Sequence, residues 1–208
     1  YFERRGITEE TAAKWNLGWH DKDDRVLFPV YMKEGKLNRL VGVIGRTVVD
    51  EEPKYRNYPK DFKKSRYLYG GWLVPEDTEL LVVVEGAIDA IRVNQAIEGN
   101  IEKAFCVALM GSDVSEYQLD QLVALGREVC CMTDNDSAGK KGKLMIVGGR
   151  LGNKSYPGIG KRTIVSSVQW PEGEEDMDPG MLTDDEIVEL ILGRKFVLEE
   201  QLSRWLMA

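Results

Sequence analysis

The residues of this sequence best suited to chemistry are carboxylates placed just past apolar runs. Leu81-Val82-Val83-Val84 leads into Glu85-Gly86-Ala87-Ile88-Asp89, and Val129-Cys130-Cys131-Met132-Thr133 into Asp134-Asn135-Asp136-Ser137-Ala138-Gly139. A third acidic stretch, Pro171-Glu172-Gly173-Glu174-Glu175-Asp176-Met177-Asp178-Pro179, follows the apolar run 163–168. Asp134 and Asp136 are two apart, so an extended backbone turns both side chains to one side. Brought together with Glu85, they would form an oxygen-only cluster of the kind Mg2+ or Mn2+ prefers. Paired ions of that type activate an attacking oxygen and stabilise a leaving one in phosphoryl transfer. Spacing alone leaves plainer roles open. Asp134 could cap the following helix, Asp89 could serve a helix dipole, and 171–179 could be a solvated acidic loop. A calcium loop fits poorly, with Ala138 at its fifth position and Met145 at its twelfth. Gly158-Ile159-Gly160-Lys161-Arg162 lacks phosphate-loop spacing.

These acids need a scaffold that delivers strand ends to one place. From residue 80 the pattern alternates: strand over 81–84, helix over 87–96, strand over 104–109, helix over 115–125, strand over 129–133, helix over 138–148, strand over 163–168. Such alternation predicts parallel β-α-β crossovers, in which ligands sit beyond the carboxyl ends of the strands. Ser115 and Gln118 have capping-box spacing. Residues 152–160 read as a loop, and Thr183-Asp184-Asp185-Glu186 as the cap of a last helix.

The first part of the chain reads differently. Thr8 is placed to cap a short helix over 9–15, stopped by Gly18. Strands are expected over 25–30 and 39–46, with a turn at 33–36, and Gly42 and Gly45 mark a bulge or a close backbone approach. Between Tyr31 and Tyr69 ten Lys and Arg face five Asp and Glu, a local excess of +5 in a chain of net charge -7. Basic residues interleaved with Tyr55, Tyr58, Tyr67 and Tyr69 suit a groove that tracks phosphates and stacks bases. They equally suit a small β-rich domain whose tyrosines cover its own core.

The 208 residues are 43% hydrophobic and 30% charged, an ordinary globular composition. No apolar run approaches the roughly 18 residues of a membrane span, and no signal peptide opens the chain, so no membrane role is expected. A first residue of Tyr rather than Met points to an excised fragment. Cys106, Cys130 and Cys131 lie in apolar strand patterns without a C-x-x-C pair, and there is one His. No zinc site is expected; packed, reduced thiols in a cytoplasmic protein are.

Taken in order, these pieces resemble the TOPRIM fold, marked by Glu85-Gly86 and by Asp134-Asn135-Asp136. The wider resemblance is to the RNA-polymerase domain of bacterial and phage DnaG-type primases. It rests on Tyr1-Phe2-x-x-Arg5-Gly6-Ile7, Arg25-Val26-Leu27-Phe28-Pro29-Val30, Gly45-Arg46, Pro53-Lys54-Tyr55-x-Asn57, Lys64-x-Arg66-x-Leu68-Tyr69-Gly70, Val84-Glu85-Gly86-x-x-Asp89 and Asp134-x-Asp136-x-Ala138-Gly139. The resemblance implies an α/β (α+β overall) chain in three parts. Residues 1–75 would be a small, basic, mixed α/β subdomain touching template and nucleotide. Residues 76–182 would be a TOPRIM catalytic subdomain with a Rossmann-like central sheet and flanking helices, and 183–208 a helical segment.

It also implies synthesis of RNA primers from NTPs on single-stranded DNA, with an RNA/DNA hybrid as product. Glu85 and Asp89 would be catalytic, and Glu85, Asp134, Asp136 and Asp178 would hold two or more Mg2+ or Mn2+ ions. Arg46, Lys54, Asn57, Lys64 and Arg66 would bind nucleotide and template. A zinc-binding domain and the parts that meet the replicative helicase would lie outside this sequence. The alternatives are a TOPRIM-type nuclease using the same ions, or a nucleic-acid-binding module whose catalysis has decayed. Two departures stand out: the family's Asp-Pro-Asp is Asp178-Pro179-Gly180, with Asp176 nearby, and Ser65 replaces a glycine after Lys64.

Overall fold

The computed structural model describes residues 1–173 and 175–197. Glu174, and residues 198–208 of the expected 183–208 segment, lie outside the described residues.

The chain opens with α1 (Glu9–Lys14), capped by the Thr8 hydroxyl, which accepts from Thr11 N at 3.1 Å. An antiparallel sheet follows in the order β1 (Gly18–His20), β2 (Arg25–Glu34), β3 (Leu37–Thr47) and β4 (Tyr55–Tyr58). The helix ends at Lys14, four residues before Gly18, because 18–20 pair with β2 instead. β4 was not evident in the sequence; prolines at 53 and 59 bound it and obscure its strand pattern. β2 and β3 slip register between Val30 and Tyr31, where Val30 pairs with Gly42 and Tyr31 with Leu40. This bulge lies beside Gly42, where a Cβ would meet the Phe62 ring at 2.5 Å. Both readings of that glycine therefore hold: a bulge, and an aromatic ring lying on the backbone.

The second sheet has the order β11-β10-β7-β5-β6, built from β5 (Leu80–Val84), β6 (Ala104–Ala108), β7 (Glu128–Cys131), β10 (Ile164–Ser167) and β11 (Lys195–Phe196). β10, β7, β5 and β6 run parallel, and β11 closes the edge antiparallel. Every residue of β5 is buried, as its unbroken apolar run requires of a strand covered on both faces. The connecting helices are α2 (Ala87–Ile97), α3 (Glu116–Leu125), α4 (Ser137–Val147) and α5 (Asp184–Leu192). Ser115 and Thr183 both form complete capping boxes. The chain steps from β5 to β6 on one side, then returns past β5 to β7. Right-handed crossovers divide at that reversal, opening a crevice at the carboxyl ends of β5 and β7.

Between α4 and β10 the expected loop is a hairpin, β8 (Gly149–Leu151) with β9 (Lys154–Tyr156). Its two-residue connection is Gly152-Asn153, with Gly152 at φ +58°, a hairpin signal in its own right.

The two sheets share one core. Trp15 stacks on Tyr69 at 5.3 Å and on Phe105 of β6 at 6.2 Å, and Phe28 of β2 meets Tyr69 edge-on at 6.2 Å. Tyr69 also exchanges backbone hydrogen bonds with Ala108, covering the otherwise open edge of β6. Cys106, Cys130 and Cys131 are buried and none is in a disulfide.

Candidate active site

Glu85 leaves β5 at the reversal. Its carbonyl accepts from Met110 N at 2.8 Å, and its carboxylate accepts from the Asp134 backbone N–H. The ends of β5, β6 and β7 are thereby tied together. Gly86 opens α2, and a Cβ there would lie 2.3 Å from Asp89 Oδ2. The Glu-Gly pair is thus physical: only glycine lets the Asp89 carboxylate fold back against the strand end. Gly139 has a similar reason, since its Cβ would lie 2.0 Å from the Asp134 carbonyl oxygen.

Asp134 and Asp136 divide their tasks. Asp136 Oδ1 caps α4 by accepting from Gly139 N at 2.7 Å, so the capping role falls to Asp136 rather than Asp134. Asp134 faces the cavity. Asp178 arrives on a strap pinned to the Asp134–Asp136 turn: Asn135 N donates to Met177 O at 2.8 Å, and Asp176 N to Asn135 O at 3.2 Å. Asp178 lines the cavity, whereas Asp176 is exposed and does not. A Cβ on Gly180 would sit 2.9 Å from Asp89 Oδ1 and 3.0 Å from Asp178 Oδ1. The two aspartates close over the place where a second acid of an Asp-Pro-Asp would begin.

The cavity, about 390 Å³, is walled on one side by Glu85, Asp89, Asp134 and Asp178 and on the other by Arg5, Arg46, Lys54, Tyr55 and Lys64. A second, of about 460 Å³, continues past Arg5, Arg46 and Lys54 toward Arg4 and the loop 47–52. Arg46 lies between two rings, 5.8 Å from Tyr1 and 5.6 Å from Tyr55. Asn57 and Arg66 stand outside this cavity. Asn57 Nδ2 donates to Phe62 O at 3.2 Å, and Arg66 lies over the Tyr117 ring at 5.6 Å.

The acids strain one another. Burial first, then the neighbouring Glu85 carboxylate, pushes Asp134 up to about 8. Burial and Asp178 push Asp89 up to about 7, against the pull of Arg46 and Arg5. Glu85 is raised by burial and by Asp136. Lys64 is lowered by burial, with no carboxylate among its causes. Glu85 Oε1, Asp134 Oδ1 and Asp178 Oδ1 are buried without a hydrogen-bond partner. Buried carboxylate oxygens left unsatisfied are costly, and a hard divalent cation is the partner whose chemistry fits them. Among the described residues, no three His, Cys, Asp or Glu side chains converge closely enough to hold an ion as they stand.

Arg5 and Arg92 were not singled out as site residues from sequence. Arg5 lies at the end of a helical turn with no charge pattern to mark it. Arg92 is buried in α2 and donates to Gly6 O at 3.1 Å, Leu182 O at 3.3 Å and Asp184 Oδ1 at 2.7 Å. It anchors both the segment that carries Arg5 and the one that carries Asp178. An arginine on an apolar helix face gives no such signal in sequence.

Comparison with known proteins agrees with this geometry. A Toprim-like family model matches residues 82–178. The DNA primase of Rickettsia felis is 28% identical over 86% of this chain and 34% of its own length. That of Staphylococcus epidermidis is 34% identical over 69% of this chain and 25% of its own length. The chain therefore spans about a third or less of the curated relatives it matches. A DNA primase domain from Pseudomonas aeruginosa superposes with a TM-score of 0.70 at 25% identity, covering 99% of this chain and 74% of that one. The zinc-binding and RNA-polymerase domains of the Aquifex aeolicus primase give a TM-score of 0.71 at 24% identity, over 96% and 56%. Fold and sequence matches agree, and the chain belongs to the family of TOPRIM-containing, DnaG-type primase catalytic domains.

Proposed function

We propose that this chain is the catalytic core of a DNA primase, making short RNA primers from NTPs on single-stranded DNA. The observation that carries the reading is the set of buried, unpartnered oxygens of Glu85, Asp134 and Asp178 facing a wall of cations across one cavity. Glu85, Asp134 and Asp178 would hold Mg2+ or Mn2+, two or more ions, with Asp89 beside them and with the Asp136 oxygen that does not cap α4. Bound there, such ions supply charge neutralisation for the triphosphate and activation of the attacking hydroxyl.

The remaining work belongs to the chain itself. Arg46, held between Tyr1 and Tyr55, and the half-buried Lys64 meet phosphate charge from the opposite wall. Tyr55 offers a face on which a base can stack. Lys54 extends the cationic wall into the adjoining cavity, where template or nucleotide passes. Asn57 and Arg66, outside the cavity, act on template at longer range. Positioning of this kind is the larger part of phosphoryl-transfer catalysis.

The division at 1–75, 76–182 and 183–208 serves as a functional one: cationic wall, acidic wall and, in the described part of the last, the α5 cover that packs on α2. Among the described residues no helix is long and apolar enough to cross a membrane, and the work proposed belongs in the cytoplasm. The primase fragment of the bacteriophage T7 primase-helicase protein shares the fold at 18% identity and a TM-score of 0.64. By that likeness a replicative helicase would be a partner, through regions outside this sequence.

The test is incubation with single-stranded DNA, labelled NTPs and Mg2+ or Mn2+. Primer products are expected, falling by about 10²–10³ in Glu85→Gln. Shortened DNA without primers would favour a nuclease, and primer synthesis by Glu85→Gln at the parent rate would remove Glu85 from its role.

A further inference from the structure

The charge of one tract of the chain is used by neither the fold nor the proposed site. Residues 137–171 contain seven Lys and Arg and no Asp or Glu, although the chain has 35 acids and a net charge of -7. An even spread of those acids would place about six in such a stretch. The structure gathers this charge along one path. α4 begins at the Asp136 cap, beside Glu85, and runs eleven residues to Val147, about 16 Å toward the opposite end of the sheet.

Near its start Lys141 bonds Asp113 at 2.7 Å, and Lys154 of the hairpin also acts on Asp113. Asp113 follows Met110 and Gly111, which line the active-site cavity. At the far end the β8–β9 hairpin and the loop before β10 enclose a groove of about 1090 Å³, lined by Arg150, Tyr156, Lys161 and Arg162. No Asp or Glu is among its described lining residues. Arg162 is paired with Asp120 at 2.8 Å. Lys140, Arg150, Lys154 and Lys161 are exposed, and none of them pairs with a carboxylate among the described residues.

We infer that α4, the β8–β9 hairpin and the 157–163 loop form a second track for single-stranded DNA, leading from the cavity to the far end of the sheet. The inference rests on the primase reading for its strand and on the charge segregation for its place. A run of unpaired cations beside an aromatic ring suits a polynucleotide backbone with bases stacking alongside. The unpaired cations point outward, so the fold itself does not need them. Continuity with the cavity through Gly111, Asp113 and Lys141 makes a strand already in the cavity the fitting occupant.

The test is fluorescence anisotropy of a labelled thymidine oligonucleotide titrated with the whole chain across a salt series. Arg150→Ala/Lys154→Ala/Lys161→Ala should bind about tenfold more weakly, and its slope of log affinity against log salt should be shallower by about 2, three phosphate contacts at about 0.7 each. Arg150→Lys/Lys161→Arg, which keeps the charge, should bind like the parent; together with an unchanged melting temperature this excludes a folding effect. An unchanged slope in the triple variant would overturn the track and leave an acidic protein surface as the better occupant. A slope change seen with an RNA oligonucleotide but not with DNA would also overturn it. The two readings fail separately: a parent chain that makes no primers but shows the slope change would sink the primase assignment and keep the track.

Discussion

The core beneath the cavity and the rim around it treat buried charge in opposite ways. In the core, Arg25 is fully buried and donates to the carbonyls of Gly45, Pro53 and Lys54, and Arg92, 7% exposed, donates to two carbonyls and to Asp184. At the rim, Glu85, Asp134 and Asp178 each keep a buried oxygen with nothing to accept from, and burial together with the nearby Glu85 and Asp178 carboxylates raises the proton affinity of Asp134. A charge that serves architecture meets several complements, as Arg25 does through Nη1 and Nη2 although its Nε has none; one kept for a ligand is left with few. Partner count, more than burial or residue type, separates the two here. The distinction predicts opposite signs for substitutions in the core and at the rim.

Arg92→Ala is the largest structural effect expected, a loss of about 3 kcal/mol. It leaves the carbonyls of Gly6 and Leu182 and the Asp184 carboxylate without their donor. Lys at 92 should recover only part, since one ammonium cannot reproduce the planar fork that spans three acceptors. Urea denaturation of the two variants checks this. Because the same guanidinium ties down the segments bearing Arg5 and Asp178, Arg92→Lys should also raise the KM for NTP more than it lowers kcat. An Arg92→Ala chain as stable as the parent would break the comparison at its architectural end.

A smaller effect belongs to Glu128 at the start of β7. Its carboxylate accepts from Arg194 at 2.6 and 3.0 Å and from Ser166 at 2.5 Å. Burial works to raise its pKa, but the bonds from Arg194 and Ser166 outweigh burial and hold it below the usual value. A carboxyl lowered on folding stabilises the protein fully above the unfolded value of about 4.3 and loses that contribution as pH falls through the folded one. Arg194→Met should therefore cost about 2 kcal/mol at neutral pH. Its urea midpoint should approach the parent's as both are titrated from pH 5 to about pH 2. A gap that stays constant over that window would mean the pair contributes nothing through charge.

How much of this was legible beforehand follows the same division. The parallel strands declared themselves because burial on both faces forces unbroken apolar runs, and the capped helices because Ser115 and Thr183 sit three residues before side chains that reach back. The acids at 85 and 134 were legible because strand ends are where a parallel sheet puts chemistry, whereas Asp178 reaches the same place on a strap well past the end of β10. The short strands β1, β4 and β11 were not, because pairing with a longer neighbour decided them against weak local patterns. Residues 152–160 read as loop although Gly152-Asn153 is a hairpin turn; one glycine-rich run hides the other signal. Arg92 was illegible for a deeper reason: its acceptors are backbone carbonyls at 6 and 182, and no side-chain pattern encodes a carbonyl. Gly180 is intermediate. The sequence showed that an acid was missing there, and the crowding of Asp89 against Asp178 supplies the physical reason.

The smallest effect expected is also the sharpest. Asp134→Asn keeps the size and shape of the side chain and removes a carboxyl that, pushed up to about 8 by burial and by Glu85, Asp89 and Asp178, must take up a proton for the chain to fold at neutral pH. The new amide can donate to the Glu85 carboxylate, whose Oε1 lacks a donor. In a chelating buffer at neutral pH the variant should therefore be more stable than the parent, by about 1 kcal/mol, while primer synthesis is lost. Adding Mg2+ should raise the parent's melting temperature and leave the variant's nearly unchanged, since binding to the folded state stabilises only a chain that can bind. The sign matters more than the size. If Asp134→Asn weakened the ion-free fold as a structural carboxylate would, the acids at the rim would belong with Arg25 and Arg92, and the cavity would lose its claim to chemistry.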